Sequence, residues 1–256
     1  MRIVKFLFRV INIALIIYLI FFQKKETEST WAWILLLLNF PVIGFLLFLL
    51  TGQSIPKQNV SGKKEHIGMV TEDNHVEILT SGEEKFKSVF ADIKSARKEI
   101  LIQYYIFKED FVFEYLQELL YKKVSEGVKV RILYDGLGSR KVSQRSWRKM
   151  RKKGVEVRGF KHSFWGPVLS AVSGFNYRNH RKIIVIDQYI GYIGGFNVGK
   201  EYVGLKQEFG FWRDTHFRIV GSAVHSLRNV FMEDWGEKEY YAPLQGGKGG
   251  SAVQMV

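Results

Sequence analysis

The sequence contains no cysteine, so disulfide bonds and cysteine-ligated metal sites are excluded. It also has a long stretch without charge, since no charged residue interrupts the run from Trp31 to Leu50. The length of that run is close to the ~20 residues that a helix needs to cross the hydrocarbon core of a bilayer. These residues therefore predict a membrane-spanning helix.

An earlier apolar segment, residues 3–22, is interrupted near its start by Lys5 and Arg9. Both side chains can extend to lipid headgroups from the end of a helix. A basic start followed by an apolar run is also typical of a cleaved signal peptide. Residues 23–29, however, provide no small-x-small cleavage site, and the second apolar run follows directly. We therefore predict a two-helix transmembrane hairpin that anchors the chain over residues 1–51.

The charges around this hairpin predict its orientation. Basic residues lie before it and after it, while the two lysines of the connecting loop are offset by two glutamates. Because positive charge favours the cytoplasmic side, both ends of the hairpin, and everything after residue 52, are predicted to be cytoplasmic. Within the second span, Asn39 and Pro41 fit either a polar, ligand-facing feature or a tolerated kink, and we favour the kink.

The part of the chain after the hairpin alternates between helical and strand patterns. Residues 52–75 are polar, contain Pro56 and predict a linker. Ser81 and Glu84 have the spacing of a capping box and predict a helix over residues 82–98. The next predicted elements are a strand over 100–107, a helix ending near Gly127, a strand over 128–134, a basic helix over 141–152 and a short strand over 155–157. A strand–helix–strand unit implies parallel strands, so the sequence predicts an α/β fold.

Residues 179–187 combine a histidine and a lysine with an apolar run, in an H-x-K-x4-D pattern. If residues from Lys182 to Asp187 form a strand, His180 and Lys182 project from the same face. An imidazole beside an ammonium that can hold a phosphate oxyanion suits phosphoryl transfer. Asp187 falls on the other face or at the strand end, where it is better placed to fix a turn than to touch substrate.

Three polar features follow this motif in an order that favours an anion site. Gly194 and Gly195 allow a backbone to approach an anion closely. Asn197 can donate an amide hydrogen bond to a phosphate oxygen, and Glu201 can accept a proton from an imidazole nitrogen. The long segment 160–178 before the motif predicts a wall of the active site, although its His162 fits an ordinary surface histidine equally well.

The chain resembles bacterial cardiolipin synthases of the phospholipase D superfamily. Five stretches carry the resemblance: 179–187, 194–202, 212–216, 104–107 and, in the hairpin, 39–44. It implies a phospholipase D-like α/β/α sandwich, with a catalytic half over residues 76–242 and the start of a second half over 243–256. Trp212 to His216 belong to these stretches, and within them Arg213 and Asp214 predict a structural ion pair.

The resemblance also implies a reaction that needs no metal and no cofactor. A histidine attacks one phosphatidylglycerol, and the hydroxyl of a second phosphatidylglycerol resolves the phosphohistidine to give cardiolipin and glycerol. By position, His180 is the nucleophile or its acid/base partner. Lys182 and Asn197 are the phosphate ligands, and Asp187 and Glu201 are the orienting carboxylates.

The family's reaction requires two H-x-K-x4-D motifs, and this sequence has one. The remaining histidines, which lack a lysine two residues later, are His66, His75, His162, His216 and His225. We therefore expect a truncated synthase that carries the anchor and the first catalytic half. The alternatives are a membrane-tethered phosphodiesterase or nuclease that acts as a homodimer, and an inactive lipid-binding fragment.

Basic residues are concentrated after residue 139. The net charge is +13; residues 1–51 hold five basic and two acidic residues, which leaves +10 on residues 52–256. The densest cluster comprises Arg140, Lys141, Arg145, Arg148, Lys149, Arg151, Lys152 and Lys153. Such a cluster can bind anionic lipid headgroups or nucleic acid, or form a solvated helix face. With a membrane anchor in the same chain, we expect anionic membrane lipid rather than nucleic acid as the partner.

Overall fold

The computed structural model of the protein describes residues 2–22, 27–48, 70–160, 179–203, 213–237 and 250–254. The described residues fall into two compact units. Residues 2–22 and 27–48 belong to an amino-terminal helical unit, and the remaining described residues form an α/β unit. Residues 52–69 of the predicted linker 52–75, and residues 161–178 with His162, lie outside the described residues.

The helical unit consists of α1 (Arg2–Phe22), α2 (Thr27–Asn39) and α3 (Pro41–Leu47). Helix α1 packs against both shorter helices, around a small core of Leu19, Leu37 and Phe48. No helix in the described part of the chain is both long and apolar enough to cross a membrane. The two predicted membrane spans are therefore not confirmed.

The second predicted span is divided at Phe40, which confirms the kink expected from Asn39 and Pro41. Proline has no backbone N–H, so the carbonyl of Leu37 loses its usual helical donor. The side chain of Asn12 replaces that donor, because its Nδ2 donates to the Leu37 carbonyl at 3.0 Å and to the Pro41 carbonyl at 2.8 Å. Asn12 lies in α1 and is buried, and its side-chain amide stabilises the break between α2 and α3.

The α/β unit is built on one eight-stranded sheet with the order β4-β3-β2-β5-β6-β7-β1-β8. Its strands are β1 (Val70–Leu79), β2 (Glu99–Tyr104), β3 (Lys129–Tyr134), β4 (Glu156–Gly159), β5 (Ile183–Ile186), β6 (Ile190–Gly194), β7 (His216–Val220) and β8 (Ser251–Gln254). Strands β2, β3 and β4 are parallel, as the sequence predicts, and the other neighbours pair in antiparallel fashion.

Helices cover both faces of the sheet. They are α4 (Gly82–Ser95), α5 (Phe111–Ser125), α6 (Gln144–Lys152) and α7 (Val224–Trp235). Alternate residues of β2 point to opposite faces, so Ile100 and Ile102 pack in the core with α4, α5 and α6, whereas Leu101 packs in the core with α7. The described residues thus form the predicted α/β/α sandwich.

Several element boundaries differ from the prediction. Strand β1 begins at Val70, inside the segment 52–75 that the sequence assigns to a linker. Residues 71–75 of this strand are polar and include the weak strand formers Asp73 and Asn74. The Asn74 side chain stabilises the strand by donating to the Thr71 and Ser251 carbonyls. Strand β8, from the predicted start of a second half, pairs with β1 in the same sheet.

The predicted capping box is confirmed, since the Ser81 side chain accepts from the Glu84 N–H and the Glu84 side chain accepts from the Ser81 N–H. Strand β2 ends at Tyr104 rather than at Phe107. Beyond Tyr104, backbone N–H groups donate to side chains and not to a neighbouring strand. The Ile106 N–H donates to Asn197 Oδ1, and the Phe107 N–H donates to Ser139 Oγ.

Candidate active site

The motif histidine lies just before a strand rather than within it, because β5 begins at Ile183. The predicted strand from Lys182 to Asp187 is therefore too long at both ends. At its start, Asn179 Oδ1 accepts a hydrogen bond from the Arg181 N–H at 3.1 Å, which bends the backbone around His180. His180 is exposed, as a group that reacts with an incoming substrate must be.

The imidazole of His180 stacks on the ring of Tyr105, with centroids 4.1 Å apart and planes inclined by 20°. Strand pairing explains this contact. Strands β2 and β5 are antiparallel, and Gln103 pairs with Ile183, so the residues after β2 lie beside those before β5. Tyr105 belongs to one of the stretches that carry the family resemblance, but the sequence pattern predicted no role for it.

Lys182 lies next to the same histidine. Its Nζ donates to the His180 carbonyl at 2.7 Å and lies 5.8 Å from the centroid of the Tyr105 ring. Burial lowers the pKa of Lys182, and the nearby charge of Asp214 opposes that shift. The Lys182 ammonium therefore contacts the His180 backbone and lies near the ring on which the His180 imidazole stacks.

Asp214 lies by Gly195 and does not form the predicted ion pair with Arg213. Its carboxylate accepts a hydrogen bond from the Thr215 N–H at 2.7 Å, and no ion pair joins it to Arg213. A side chain at position 195 would overlap the Asp214 carboxylate where it now lies, so a substitution here would displace Asp214. Gly195 thus lies against Asp214, an acidic side chain of the same protein. Trp212 lies outside the described residues.

Asn197 is buried, and its amide joins two segments. Oδ1 accepts from the Ile106 N–H at 3.2 Å, and Nδ2 donates to the Tyr202 hydroxyl at 3.1 Å. An amide nitrogen carries two hydrogens, so one donor of Asn197 is left by these two contacts.

Glu201 does not contact His180. It is buried, and its carboxylate forms an ion pair with Lys108. Lys108 is brought there by its backbone, which donates to the Val198 carbonyl at 3.0 Å. The expected hydrogen bond from the imidazole to Glu201 is therefore absent among the described residues, because Lys108 takes the carboxylate.

Asp187 lies at the far end of β5 from His180, in the tight turn to β6. It has a positive φ of 51°, which aspartate tolerates better than most residues. Its two carboxylate oxygens accept three backbone hydrogen bonds, from Arg97 at 2.8 Å, Lys98 at 2.7 Å and Glu99 at 3.0 Å. These contacts join the β5–β6 turn to the start of β2.

Comparison with known proteins identifies the family. A model of the cardiolipin synthase, phospholipase D-like domain matches residues 89–235, which is more than half of the chain. The chain belongs to the cardiolipin synthase family of the phospholipase D superfamily. A second model, of the amino-terminal segment of phospholipase D-nuclease proteins, matches residues 10–53.

Curated members of this cardiolipin synthase family are similar over nearly the whole chain. The cardiolipin synthase of Oceanobacillus iheyensis is 36% identical over 95% of this chain and 61% of its own length. The major cardiolipin synthase of Bacillus subtilis is 35% identical over 98% of this chain and 62% of its own length. The chain thus spans about three-fifths of these relatives. A solved phospholipase D family member, Nuc from Salmonella typhimurium, matches 66% of the chain and 99% of its own length, with 18% identity and a TM-score of 0.48.

Two buried side chains near the motif, Lys85 and His216, were given no role by the sequence analysis. Lys85 is fully buried, its Nζ donates to the Asn197 carbonyl at 3.4 Å, and burial lowers its pKa far below the ordinary value. His216 is also fully buried, and burial together with Lys85 and Lys182 lowers its pKa to about 2. A lysine at the helical spacing of Val89 and Ile93, on the apolar face of α4, was the signal available for Lys85.

The site offers an exposed imidazole, a half-buried ammonium and an amide donor. An imidazole can attack phosphorus or carry a proton, and the ammonium and amide can stabilise a phosphate oxyanion. Among the described residues, no group of three or more histidine, aspartate or glutamate side chains is arranged to hold a metal ion.

Proposed function

We propose that this chain is a cardiolipin synthase, which transfers a phosphatidyl group from one phosphatidylglycerol to another. The observation that carries this proposal is the position of His180, exposed, stacked on Tyr105 and adjacent to Lys182. The similarity to cardiolipin synthases over nearly all of the chain supports phosphatidylglycerol as the substrate.

In the proposed reaction, a nitrogen of the imidazole attacks the phosphorus of the first phosphatidylglycerol. The bond from phosphorus to the headgroup glycerol breaks, and a second histidine gives its proton to the leaving alkoxide. The terminal hydroxyl of the second phosphatidylglycerol then attacks the phosphohistidine and returns a proton to the second histidine. The phosphorus–nitrogen bond breaks, which releases cardiolipin and restores both imidazoles.

This reaction needs two histidines, and the sequence contains one H-x-K-x4-D motif. We propose that the second histidine comes from a second copy of the chain or from a second catalytic half. His180 serves as the nucleophile or as the acid/base partner of that histidine.

The other site residues take roles that follow from their contacts. Lys182 and the remaining N–H of Asn197 Nδ2 hold the phosphate oxygens. Asp187 stabilises the β5–β6 turn by accepting backbone hydrogen bonds. Glu201 orients Lys108 rather than the imidazole. Asp214, beside Gly195 and Lys182, sets the local charge around the phosphate.

We also propose that the chain works at the cytoplasmic face of the cell membrane, with the hairpin of residues 1–51 as its anchor. Helix α6 supports contact with anionic lipid. Trp147 and Met150 bury one side of it in the core, and its basic residues are exposed on the other side. None of the basic residues between 140 and 153 forms an ion pair within the described residues, so their charge is available to headgroups.

The test is lipid analysis after incubating the purified full chain with phosphatidylglycerol vesicles. We expect cardiolipin and glycerol in equal amounts, a loss of both in His180→Ala, and their retention in His75→Ala, which removes an exposed histidine of β1. Hydrolysis of DNA without lipid turnover would replace the proposal with a phosphodiesterase. Vesicle binding without turnover would replace it with an inactive lipid-binding chain.

A further inference from the structure

A carboxylate on α7 holds the segment that contains the motif histidine. Asp234 accepts hydrogen bonds from Asn179 Nδ2 at 2.8 Å and from Arg181 Nη1 at 2.7 Å. Asn179 and Arg181 are the two neighbours of His180, so one carboxylate fixes the backbone on both sides of it.

The same carboxylate is tied to the sheet. Gln103 Nε2 donates to Asp234 Oδ2 at 2.6 Å, and Gln103 lies in β2, directly opposite Ile183 of β5. Asp234 therefore links α7, the central strand β2 and the start of β5 at one point. The core of α7, with Phe231 and Trp235 buried on the sheet, keeps this carboxylate in place.

The environment of Asp234 distinguishes this contact from an ordinary surface ion pair. Arg181 is 54% exposed, and an exposed pair alone contributes little to stability. The Asp234 side chain, however, is only 9% exposed, and Asn179 and Gln103 are buried. Buried amides need acceptors, so loss of the carboxylate would release Asn179 and let the His180 backbone change conformation.

We propose that Asp234 is a positioning residue for His180, acting through Asn179 and Arg181. The inference rests on the proposed role of His180 in phosphatidyl transfer. Together with Tyr105, which fixes the plane of the ring, Asp234 fixes the backbone from which the ring projects. In-line attack on phosphorus depends on sub-ångström placement of the nucleophile, so the effect falls on the chemical step.

The kinetic expectation concerns Asp234→Asn, which keeps the shape of the side chain but replaces one acceptor oxygen with a donor. We expect kcat to fall by about tenfold to about a hundredfold, while KM for phosphatidylglycerol changes by less than about threefold. Asp234→Glu keeps the charge, and we expect it to recover part of kcat. A residue that only stabilises the fold would lower the amount of folded protein and leave kcat per folded molecule unchanged.

The matched control is Asp92→Asn. Asp92 is also a poorly exposed carboxylate in the α/β unit, and it accepts hydrogen bonds from Tyr192 and from Arg218 Nε at 2.7 Å. None of its contacts reaches residues 179–182. We expect this variant to lose stability but to keep its kcat.

A second readout does not depend on turnover. In the full chain with 13C-labelled histidine, the His180 signal is assigned by its loss in His180→Gln, and its chemical shift and relaxation rate are compared between variants. We expect both to change in Asp234→Asn and to stay as in the wild type in Asp92→Asn. An unchanged His180 signal in folded Asp234→Asn would overturn the positioning role, whether or not the chain makes cardiolipin. Failure of cardiolipin synthesis with a changed signal would count against the proposed function and not against this role.

Discussion

The imidazole of His180 and the phenol ring of Tyr105 lie face to face, 4.1 Å apart between centroids. The stacked ring limits rotation of the imidazole about its own bond to Cβ. Both imidazole nitrogens lie in the ring plane, so the stack restricts the directions from which they can meet phosphorus. Tyr105 follows β2 and His180 precedes β5, and the antiparallel pairing of these strands fixes the contact.

Removal of the stacking ring should slow the reaction. We expect Tyr105→Ala to lower kcat about threefold to about tenfold, since an aromatic pair contributes about 0.5–1.5 kcal/mol beyond its buried area. Tyr105→Phe keeps the ring and should stay close to wild type. Tyr115→Ala, which removes an exposed tyrosine of α5, is the control in the same cardiolipin assay. Equal activity of Tyr105→Ala and wild type would show that the stack is not used.

The lowered pKa of Lys182 predicts an alkaline limit to activity. Burial favours the neutral amine, so Lys182 loses its proton at a lower pH than an ordinary lysine, and with it the charge that holds phosphate. We expect kcat/KM to fall with rising pH before the ordinary pKa of a lysine is reached. Lys182→Arg should move this fall to higher pH, even if its maximal rate is lower. Lys94→Arg, on the exposed side of α4, should not move it.

Asp187 should affect stability more than catalysis. Asp187→Ala removes the acceptor of three backbone N–H groups, and we expect the free energy of unfolding to fall by about 1–3 kcal/mol. Activity per folded molecule should stay within about twofold, because β5 separates Asp187 from His180. Gln188→Ala changes the neighbouring residue of the same turn, also at positive φ, and is the control for backbone effects. Full stability with lost activity would instead make Asp187 a reactant.

His216 should make the protein sensitive to mild acid. Its pKa is lowered from 6.5 to about 2 in the fold, so between these values the unfolded chain binds a proton that the folded chain does not. Stability therefore rises with pH in this window and is lost on acidification, by about 2 kcal/mol between about pH 7 and about pH 5 from this residue. His216→Leu should remove that part of the pH dependence, as measured by urea unfolding followed by tryptophan fluorescence. An identical pH dependence in the variant would rule out a buried neutral His216.

Local patterns in the sequence predicted those parts of the fold that depend on near neighbours. The capping box at Ser81 and Glu84 satisfies its own backbone donors, and the apolar strands on either side of α5 specify a parallel pair. The tight turn at Asp187 follows from its place between two strands. Each of these features needs only residues that are close in the chain.

Contacts between residues that are distant along the chain could not be predicted from sequence patterns. Glu201 pairs with Lys108 instead of the imidazole, and Asp214 approaches Gly195 instead of Arg213. The pairing of β6 with β7 places Asp214 beside Gly195, and a backbone bridge between Phe107 and Val198, outside the strands, places Lys108 beside Glu201. The polar strand β1 was missed because Asn74 stabilises it through contacts with residues far along the chain, such as Ser251.

The most direct test of the account is detection of the covalent intermediate. The full chain is mixed with phosphatidylglycerol labelled on phosphorus and quenched in alkali, in which phosphohistidine survives, and the modified peptide is then mapped. We predict that the peptide containing His180 carries the label. If the second histidine is the nucleophile, that histidine carries the label and accumulates less of it in His180→Gln. In either case the label moves into cardiolipin when unlabelled phosphatidylglycerol is added. Cardiolipin formation at an unchanged rate in His180→Gln, with no histidine labelled, would contradict the account.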